Sequence, residues 1–246
     1  MAEREGMRLA VRPMRTVRPA DLDGAYVNPR AVLRDRAAKG MVHRVAYGTY
    51  VAVPDDAHDR ARWRPALEAA AAAVATAIFG DRGAALMGMT AARLLGAAPR
   101  ARGDAVVAAP RRHRDVTLVD RRDAAVRFVQ RDLDEIDTQP IATELGVALV
   151  TTPEQTLVDL ARDRTVNDAD KHDAMLALGR TADWDRVEAL AAGQRGRTVA
   201  EPVLRNVRRE VARWRAALGH QTILDVTAAE AADVVAGAWA AVGSET

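Results

Sequence analysis

At 246 residues the chain is long enough for one or two domains, and its lack of cysteine excludes disulfides and thiolate metal sites. The net charge of +2 is unevenly spread, because residues 1–54 carry 10 basic and 5 acidic side chains and residues 55–246 carry 26 and 29. With no apolar signal-peptide core and no apolar run near the roughly 20 residues that span a bilayer, we expect a cytoplasmic protein without a membrane partner.

The basic N-terminal part begins with two predicted helices joined by a turn. Pro19 favours the start of a short helix over Arg18–Leu22, since proline suits the first turn of a helix. Asn28 is a favourable N-cap for a second helix, Asn28–Lys39, which Gly40 then ends. The two helices are short and close together in the chain, as in a helix-turn-helix.

The second helix has two different faces, and a predicted hairpin follows it. Leu33 belongs to an apolar face, while Arg30 and Arg34 lie one turn apart on another face. Residues Met41–Val53 alternate in the manner of two strands, with Gly48 supplying the tight turn between them. A basic helix therefore leads directly into a hairpin.

Helix, turn, helix and hairpin follow one another in a winged helix-turn-helix, which places its second helix in the major groove and its hairpin on the DNA backbone. Arginines on the helix would read guanine edges or bind phosphates, and hairpin side chains would hold phosphates. The alternative is a solvated helix face beside a hairpin that contacts protein. The predicted DNA-binding residues are Asn28, Arg30, Arg34, Arg36, Lys39, His43, Arg44 and Tyr47.

From about residue 55 the pattern predicts a second, mixed body. Two helices are expected first, over Trp63–Phe79 and Leu86–Leu95, before the period changes to that of strands. Runs rich in valine then predict a small sheet. The expected strands are Ala105–Ala109, Val116–Val119, Ala125–Gln130 and Val147–Val150.

The last hundred residues read as helical. Thr152 with Gln155 forms a predicted capping box for a helix that runs to Ala161. Four more helices are expected, at Asp168–Leu178, Asp183–Ala192, Thr198–Leu218 and Thr227–Val242. The third of these carries an arginine-rich face, which is either solvated or a docking surface. We predict an α+β protein, with a winged helix-turn-helix at residues 1–56 and a mixed α/β domain with a helical C-terminal part at residues 57–246.

The sequence offers no recognisable catalytic or metal-binding pattern. The five histidines lack an HExxH spacing, and the acidic run Asp132–Asp137 lacks the glycine and oxygen spacing of a calcium loop. No nucleophile, base and orienting group occur together. We therefore predict a binding protein with no catalytic residue, metal or cofactor. Two alternatives remain, a protein-interaction module without DNA binding and a nucleic-acid-processing enzyme with an unrecognised site.

Four segments between residues 16 and 165 carry a family resemblance. They read RPADL, NPRAVLRDRAAKGMVHRVAYGTYVAVP, MGMTAARLLGA and ALVTTPEQTLVDLAR. In order and spacing they resemble the AbiEi-type antitoxins of bacterial type IV toxin–antitoxin systems and related transcriptional regulators. A related group joined to a Vsr-like endonuclease domain is disfavoured, because the chain has no D…E-x-K pattern.

The resemblance implies a winged helix that binds inverted repeats in the protein's own promoter. It also implies a C-terminal domain that counteracts a nucleotidyltransferase-type toxin. On this basis Asn28–Lys39 is the DNA-reading helix, Met41–Val53 the wing, and Thr152–Ala161 part of the antitoxin core. We expect double-stranded operator DNA and the toxin as partners, and a monomer in solution that pairs on DNA.

Overall fold

A computed structural model describes residues 11–99, 103–165 and 168–218, which form an α+β fold and confirm the predicted class. Its helices are α1 Pro29–Ala38, α2 Leu67–Phe79, α3 Gly88–Leu94, α4 Pro153–Arg162, α5 Asp168–Gly179, α6 Trp184–Gly193 and α7, residues 197–218. Its strands are β1 Thr16–Val17, β2 Val42–Ala46, β3 Thr49–Ala52, β4 Ala85–Leu86, β5 Ala105–Ala109, β6 Val116–Thr117, β7 Ala125–Gln130, β8 Thr138–Thr143 and β9 Gly146–Thr151. Across these ranges, no helix has the length and apolar character to cross a membrane.

The N-terminal part is a small antiparallel sheet covered by α1. Its strands lie in the order β1-β3-β2, and β2 and β3 form the predicted hairpin. Leu33 of α1 is fully buried against Val42 and Tyr50 of this sheet. The short helix expected after Arg18 is a 3-10 turn, Pro19–Leu22, whose Leu22 joins the same cluster. One apolar side chain per turn thus fixes α1 on the sheet.

The body contains a six-stranded mixed sheet in the order β6-β7-β5-β4-β9-β8. Strands β5 and β7 run parallel, as do β4 and β9, while the remaining neighbours are antiparallel. Helices α4 to α7 pack together beside this sheet around a second apolar cluster, which includes Leu157, Leu160, Met175 and Val207. The predicted helical C-terminal part is therefore a compact layer of its own.

Helix α2 packs against both sheets. Its residues 69–75, six alanines and Val74, share one buried cluster with Val45 and Val51 of the first sheet and with Leu86 and Val107 of the second. Arg18 adds a polar link, because its Nη1 donates to the carbonyl oxygen of Ala77 at 2.7 Å. Small side chains allow this close approach from two sides. The domain boundary near residue 56 stays a prediction, and the core continues across it.

Two predicted helices begin later than expected. The helix expected from Trp63 begins at Leu67, since Pro65 disfavours helical backbone just before it. The helix expected from Leu86 begins at Gly88, because Leu86 lies in β4 and Met87 donates its backbone N–H to Val106 at 3.1 Å. Pairing with a distant strand overrides the local helical pattern there.

Two further elements differ from the expectations. Strand β8 is not among the expected strands, because Pro140 and its polar neighbours obscure the pattern of an edge strand. Thr152 caps α4 as expected, but the Gln155 half of the capping box is wrong. The Thr152 N–H donates to Asp137 O at 3.1 Å, and the Gln155 side chain turns to Asp137 N and Gln194. The helix expected over residues 227–242 lies outside the described residues.

Candidate nucleic-acid interface

Helix α1 is built to present two arginines. The Asn28 side-chain oxygen accepts from Ala31 N at 3.1 Å and caps the helix, as predicted. Leu33 packs on the sheet, while Arg30 and Arg34 lie on an adjoining face of the helix and are exposed. Neither guanidinium has a hydrogen bond or ion pair to the described parts of the chain. Two free cations one turn apart are what a phosphate or a guanine edge requires.

The other basic residues of α1 and its C-cap, Arg36 and Lys39, are engaged within the protein. Arg36 Nη2 donates to the hydroxyl of Tyr26 at 2.9 Å, and its guanidinium lies 5.4 Å from the centre of that ring. Lys39 forms an exposed ion pair with Asp35 at 2.8 Å. Such a pair contributes little to stability, so Lys39 can exchange it for a phosphate at small cost.

Arg44 and Tyr47 form a pair at the tip of the hairpin. Arg44 is opposite Tyr50 in the strand register, on the same face of the sheet as α1. Its guanidinium lies 5.3 Å from the ring centre of Tyr47, which is 80% exposed. The turn between the strands uses a left-handed Gly48, as expected. The tip therefore offers a cation stacked on an exposed phenol.

His43 lies on the opposite face of the sheet and turns toward the body. Its Nε2 is 3.1 Å from Asp120 Oδ2, and its ring meets Trp63 edge-on with centroids 5.9 Å apart. The His43 side chain is 23% exposed. The structure therefore separates His43 from the other predicted residues and places it in a joint between hairpin and body.

Asp120 is the centre of this joint. Arg121 donates to both carboxylate oxygens, from Nε at 2.9 Å and from Nη2 at 2.8 Å, and Nη2 also donates to Pro65 O at 2.7 Å. Burial acts to raise the pKa of Asp120, but the hydrogen bonds from Arg121 and the contact with His43 outweigh it and hold the pKa at about 2. The carboxylate is thus ionised and fully engaged at neutral pH.

Backbone contacts extend the joint along β2. Val119 N donates to Val45 O at 3.0 Å, and Ala46 forms an isolated bridge with Leu118. The sequence pattern gave no sign of Asp120 in this role, because the aspartate lies 77 residues from His43. The first sheet therefore has one face for α1 and the outward arginines and another face fixed to the body.

The arginine-rich face of α7 is largely satisfied within the protein. Arg208 pairs with Glu188 and lies 3.9 Å from Asp185. Arg209 donates to the side chain of Asn206 at 2.9 Å, and Arg215 donates to a backbone carbonyl at 2.6 Å. Arg205 and Arg213 of the same face are exposed and, like Arg30 and Arg34, have no side-chain hydrogen bond or ion pair within the described residues.

The body matches a known family over about half of the chain. Residues 83–204 match the family model described as the AbiEi antitoxin C-terminal domain. The chain carries an AbiEi-type antitoxin domain. The predicted family resemblance is confirmed, and the match supports an antitoxin role. The AbiEi-type domain begins just before β4, so α1 and the hairpin lie outside the matched residues.

The fold is also similar to a solved structure. The crystal structure of the RV2827C protein from Mycobacterium tuberculosis shares 18% identity and superposes with a TM-score of 0.56, over 85% of this chain and 76% of that chain. At this identity the likeness concerns the fold alone. No curated protein matches the chain.

Proposed function

We propose that this AbiEi-type antitoxin binds operator DNA through its N-terminal part and represses its own promoter. The observation that carries the proposal is the pair of exposed, unengaged arginines, Arg30 and Arg34, on a helix fixed by Leu33 to a sheet with a hairpin. In a winged helix-turn-helix this helix enters the major groove, and the hairpin, with Arg44 and Tyr47 at its tip, follows the backbone.

The electrostatic side of the proposal rests on how charge is distributed. The first 54 residues carry a net charge of +5, and the rest of the chain carries −3. A basic surface on a slightly acidic body directs a polyanion to one end of the molecule. Loss of a phosphate contact would lower affinity for all sequences, whereas loss of a base contact would also reduce discrimination between sequences.

The second part of the proposal concerns the toxin. Antitoxins that this chain resembles counteract nucleotidyltransferase-type toxins, and we assign that role to the body, acting in the cytoplasm and without catalysis. Co-expression with the product of a neighbouring nucleotidyltransferase gene tests this part. Growth should be restored by the full chain, and continued growth arrest despite equal expression would contradict it.

The DNA-binding part is tested with the full chain and the DNA upstream of its gene. We expect Arg30→Ala and Arg34→Ala each to weaken operator binding by about 1–3 kcal/mol, the usual worth of a base-reading arginine. Arg44→Ala should weaken operator and random DNA alike and flatten the salt dependence, as a phosphate contact does. Fluorescence anisotropy over a salt series measures both effects.

Arg213→Ala is the matched control, because it removes one exposed arginine from α7 and leaves α1 intact. It should bind operator like the parent protein. If all three N-terminal variants bind operator with the parent affinity and salt slope, this surface does not read DNA. The chain would then be a protein-interaction module, as the alternative interpretation holds.

A further inference from the structure

A groove in the body lies at the carboxyl ends of two parallel strands. Strands β5 and β7 pair in register to their last residues, Ala109 with Gln130, so the segments that follow leave the sheet at the same edge. In open α/β sheets, ligands bind at such edges. The groove has a volume of about 930 Å³, and its lining includes Arg112, His113, Phe128, Gln130, Arg131 and Arg195.

One wall of the groove is aromatic. The rings of His113 and Phe128 lie edge to face with centroids 5.0 Å apart, and Phe79 supports Phe128 from behind at 5.6 Å. Both lining rings are partly exposed. Partly exposed aromatic rings beside arginines form the surface on which nucleic-acid bases stack.

Positive charge dominates the rest of the groove. Three arginines, Arg112, Arg131 and Arg195, line it, and Asp132 is the single acidic residue among its lining residues. Arg131 is held by its backbone N–H, which donates to Ala109 O at 2.9 Å, so its guanidinium starts from a fixed point at the end of the sheet. A phosphate group, which presents several oxygens, matches this set of donors.

One buried carboxylate, Asp159, lies next to Arg131 and balances the positive charge of the groove only in part. Asp159 is 1% exposed and lies 3.5 Å from Arg131, yet its Oδ2 has no hydrogen-bond partner within the described ranges. Neither does the buried Nε of Arg131. The Arg131 side chain is 26% exposed and only loosely paired with Asp159, so its positive charge would be offset by an anion in the groove.

A second, partly buried arginine, Arg162, adds to the positive charge near Asp159. Arg162 Nη1 donates to Gln194 at 2.9 Å, but its Nε and Nη2 are buried without partners among the described residues. Burial and the nearby charge of Arg131 both lower the pKa of Arg162. Gln194, held by Gln155 and by Glu135 O, places the next residue, Arg195, at the groove. Two arginines thus share one buried carboxylate.

We propose that this groove binds a nucleotide unit, with its phosphate on Arg131, Arg112 and Arg195 and its base stacked on His113 and Phe128. A free nucleotide and one unit of a single-stranded RNA present the same chemistry. The site is separate from the operator-binding surface of α1 and does not depend on it.

Binding is tested by titrating the full chain with AMP, CMP, GMP and UMP, and with an eight-residue 5′-phosphorylated oligouridylate. Titration calorimetry measures the affinity of the mononucleotides, and fluorescence anisotropy measures the affinity of a labelled oligonucleotide. Saturable binding of mononucleotides assigns the groove to a free nucleotide. Binding of the oligonucleotide alone assigns it to single-stranded RNA.

Variants locate the ligand. Arg112→Ala and Arg195→Ala change exposed side chains and should each weaken binding about tenfold, the worth of one charge-assisted hydrogen bond. Phe128→Leu keeps an apolar side chain but removes the ring. It should weaken nucleotide binding and leave unchanged the affinity of inorganic phosphate, measured by competition. Arg114→Ala is the matched control, because Arg114 is an exposed arginine of the same loop that does not line the groove.

The result that overturns the proposal is the absence of saturable binding by every probe, or binding that Arg112→Ala and Arg195→Ala leave unchanged. The double variant of Arg30 and Arg34 to alanine separates this test from operator binding. It should lose operator DNA and retain the nucleotide unit. If instead it loses the nucleotide unit with the operator, the ligand lies on α1 and the groove is excluded.

Discussion

Two regions of the protein each bury an aspartate among cations, and the two carboxylates differ in the direction of their pKa shift. At the joint between hairpin and body, burial acts to raise the pKa of Asp120, but Arg121 and His43 hold it at about 2. Under the groove, burial raises the pKa of Asp159 to about 6, and the attraction of Arg131 does not compensate. One arginine, Arg121, lies beside Asp120, whereas two, Arg131 and Arg162, lie near Asp159.

The geometry of the hydrogen bonds explains the difference. Both oxygens of Asp120 accept from Arg121, at 2.9 and 2.8 Å. Asp159 Oδ1 accepts from the neutral Gln155 amide at 3.1 Å and lies 3.5 Å from Arg131, while its Oδ2 has no hydrogen-bond partner among the described residues. Close hydrogen bonds and nearby cations both lower a carboxyl pKa. At Asp159 the pull of Arg131 is too weak to offset burial, whereas at Asp120 the hydrogen bonds from Arg121 do offset it. Asp120, with both oxygens hydrogen-bonded, connects the hairpin to the body. Asp159, with one oxygen unbonded among the described residues, marks a place where a bound ligand would rearrange the ion pairs.

The largest effect is expected at the joint. Asp120→Ala leaves Arg121 and His43 without their shared carboxylate, and breaking a buried pair in this way costs about 3–5 kcal/mol of unfolding free energy. Urea denaturation at pH 7 measures it. Asp134→Ala, which removes an exposed aspartate of the body, is the control. Equal unfolding free energies for the two variants would show that the joint contributes nothing.

Asp159 should make the free energy of unfolding fall as pH rises, which is opposite to the effect of a carboxylate with a lowered pKa such as Asp120. The folded pKa of Asp159, about 6, lies above the ordinary 3.8, so the native state binds the proton more tightly than the unfolded chain. Its contribution to stability therefore falls as pH rises from about 4 to 6, by about 3 kcal/mol. Asp159→Asn should remove this fall when urea denaturation is repeated at pH 4, 5, 6 and 7. An unchanged pH profile in the variant would contradict the raised pKa.

The smallest effect is expected for His43→Gln. Glutamine retains a donor for Asp120 while Arg121 keeps its two bonds, so the loss should be about 1 kcal/mol, the worth of one hydrogen bond. Denaturation measures the stability, and operator affinity should stay at the parent value because His43 faces the body. A loss of operator binding without a loss of stability would place His43 on the DNA instead.

Local patterns predicted most of the fold. The strand bounds of β5 and β7 follow from runs of valine, and the cap of α1 follows from Asn28 and the proline after it. Strand β8 was missed because its pairing with β9, rather than its own polar sequence, makes it a strand. Leu86 was misplaced for the same reason, since its partners lie in β5 and β9.

The candidate sites also differ in whether local sequence or tertiary packing brings their residues together. Arg30 and Arg34 were identifiable from helical spacing, since both lie in one short segment. The joint and the groove were not, because His43 meets a residue 77 positions away and Arg131, Arg162 and Arg195 converge from three distant segments. Side chains that meet only through tertiary packing leave no periodic signal in the sequence.

Helix α2 has a consequence for how this molecule can be divided. Because its alanines contact Val45 and Val51 on one side and Leu86 and Val107 on the other, neither half has a complete core alone. A fragment ending at residue 56 would expose fully buried valines to water, and transplanting it onto another body would do the same. The two halves should unfold as one cooperative unit. A recombination event that moved the N-terminal part to another protein would have to include α2 to keep its core complete.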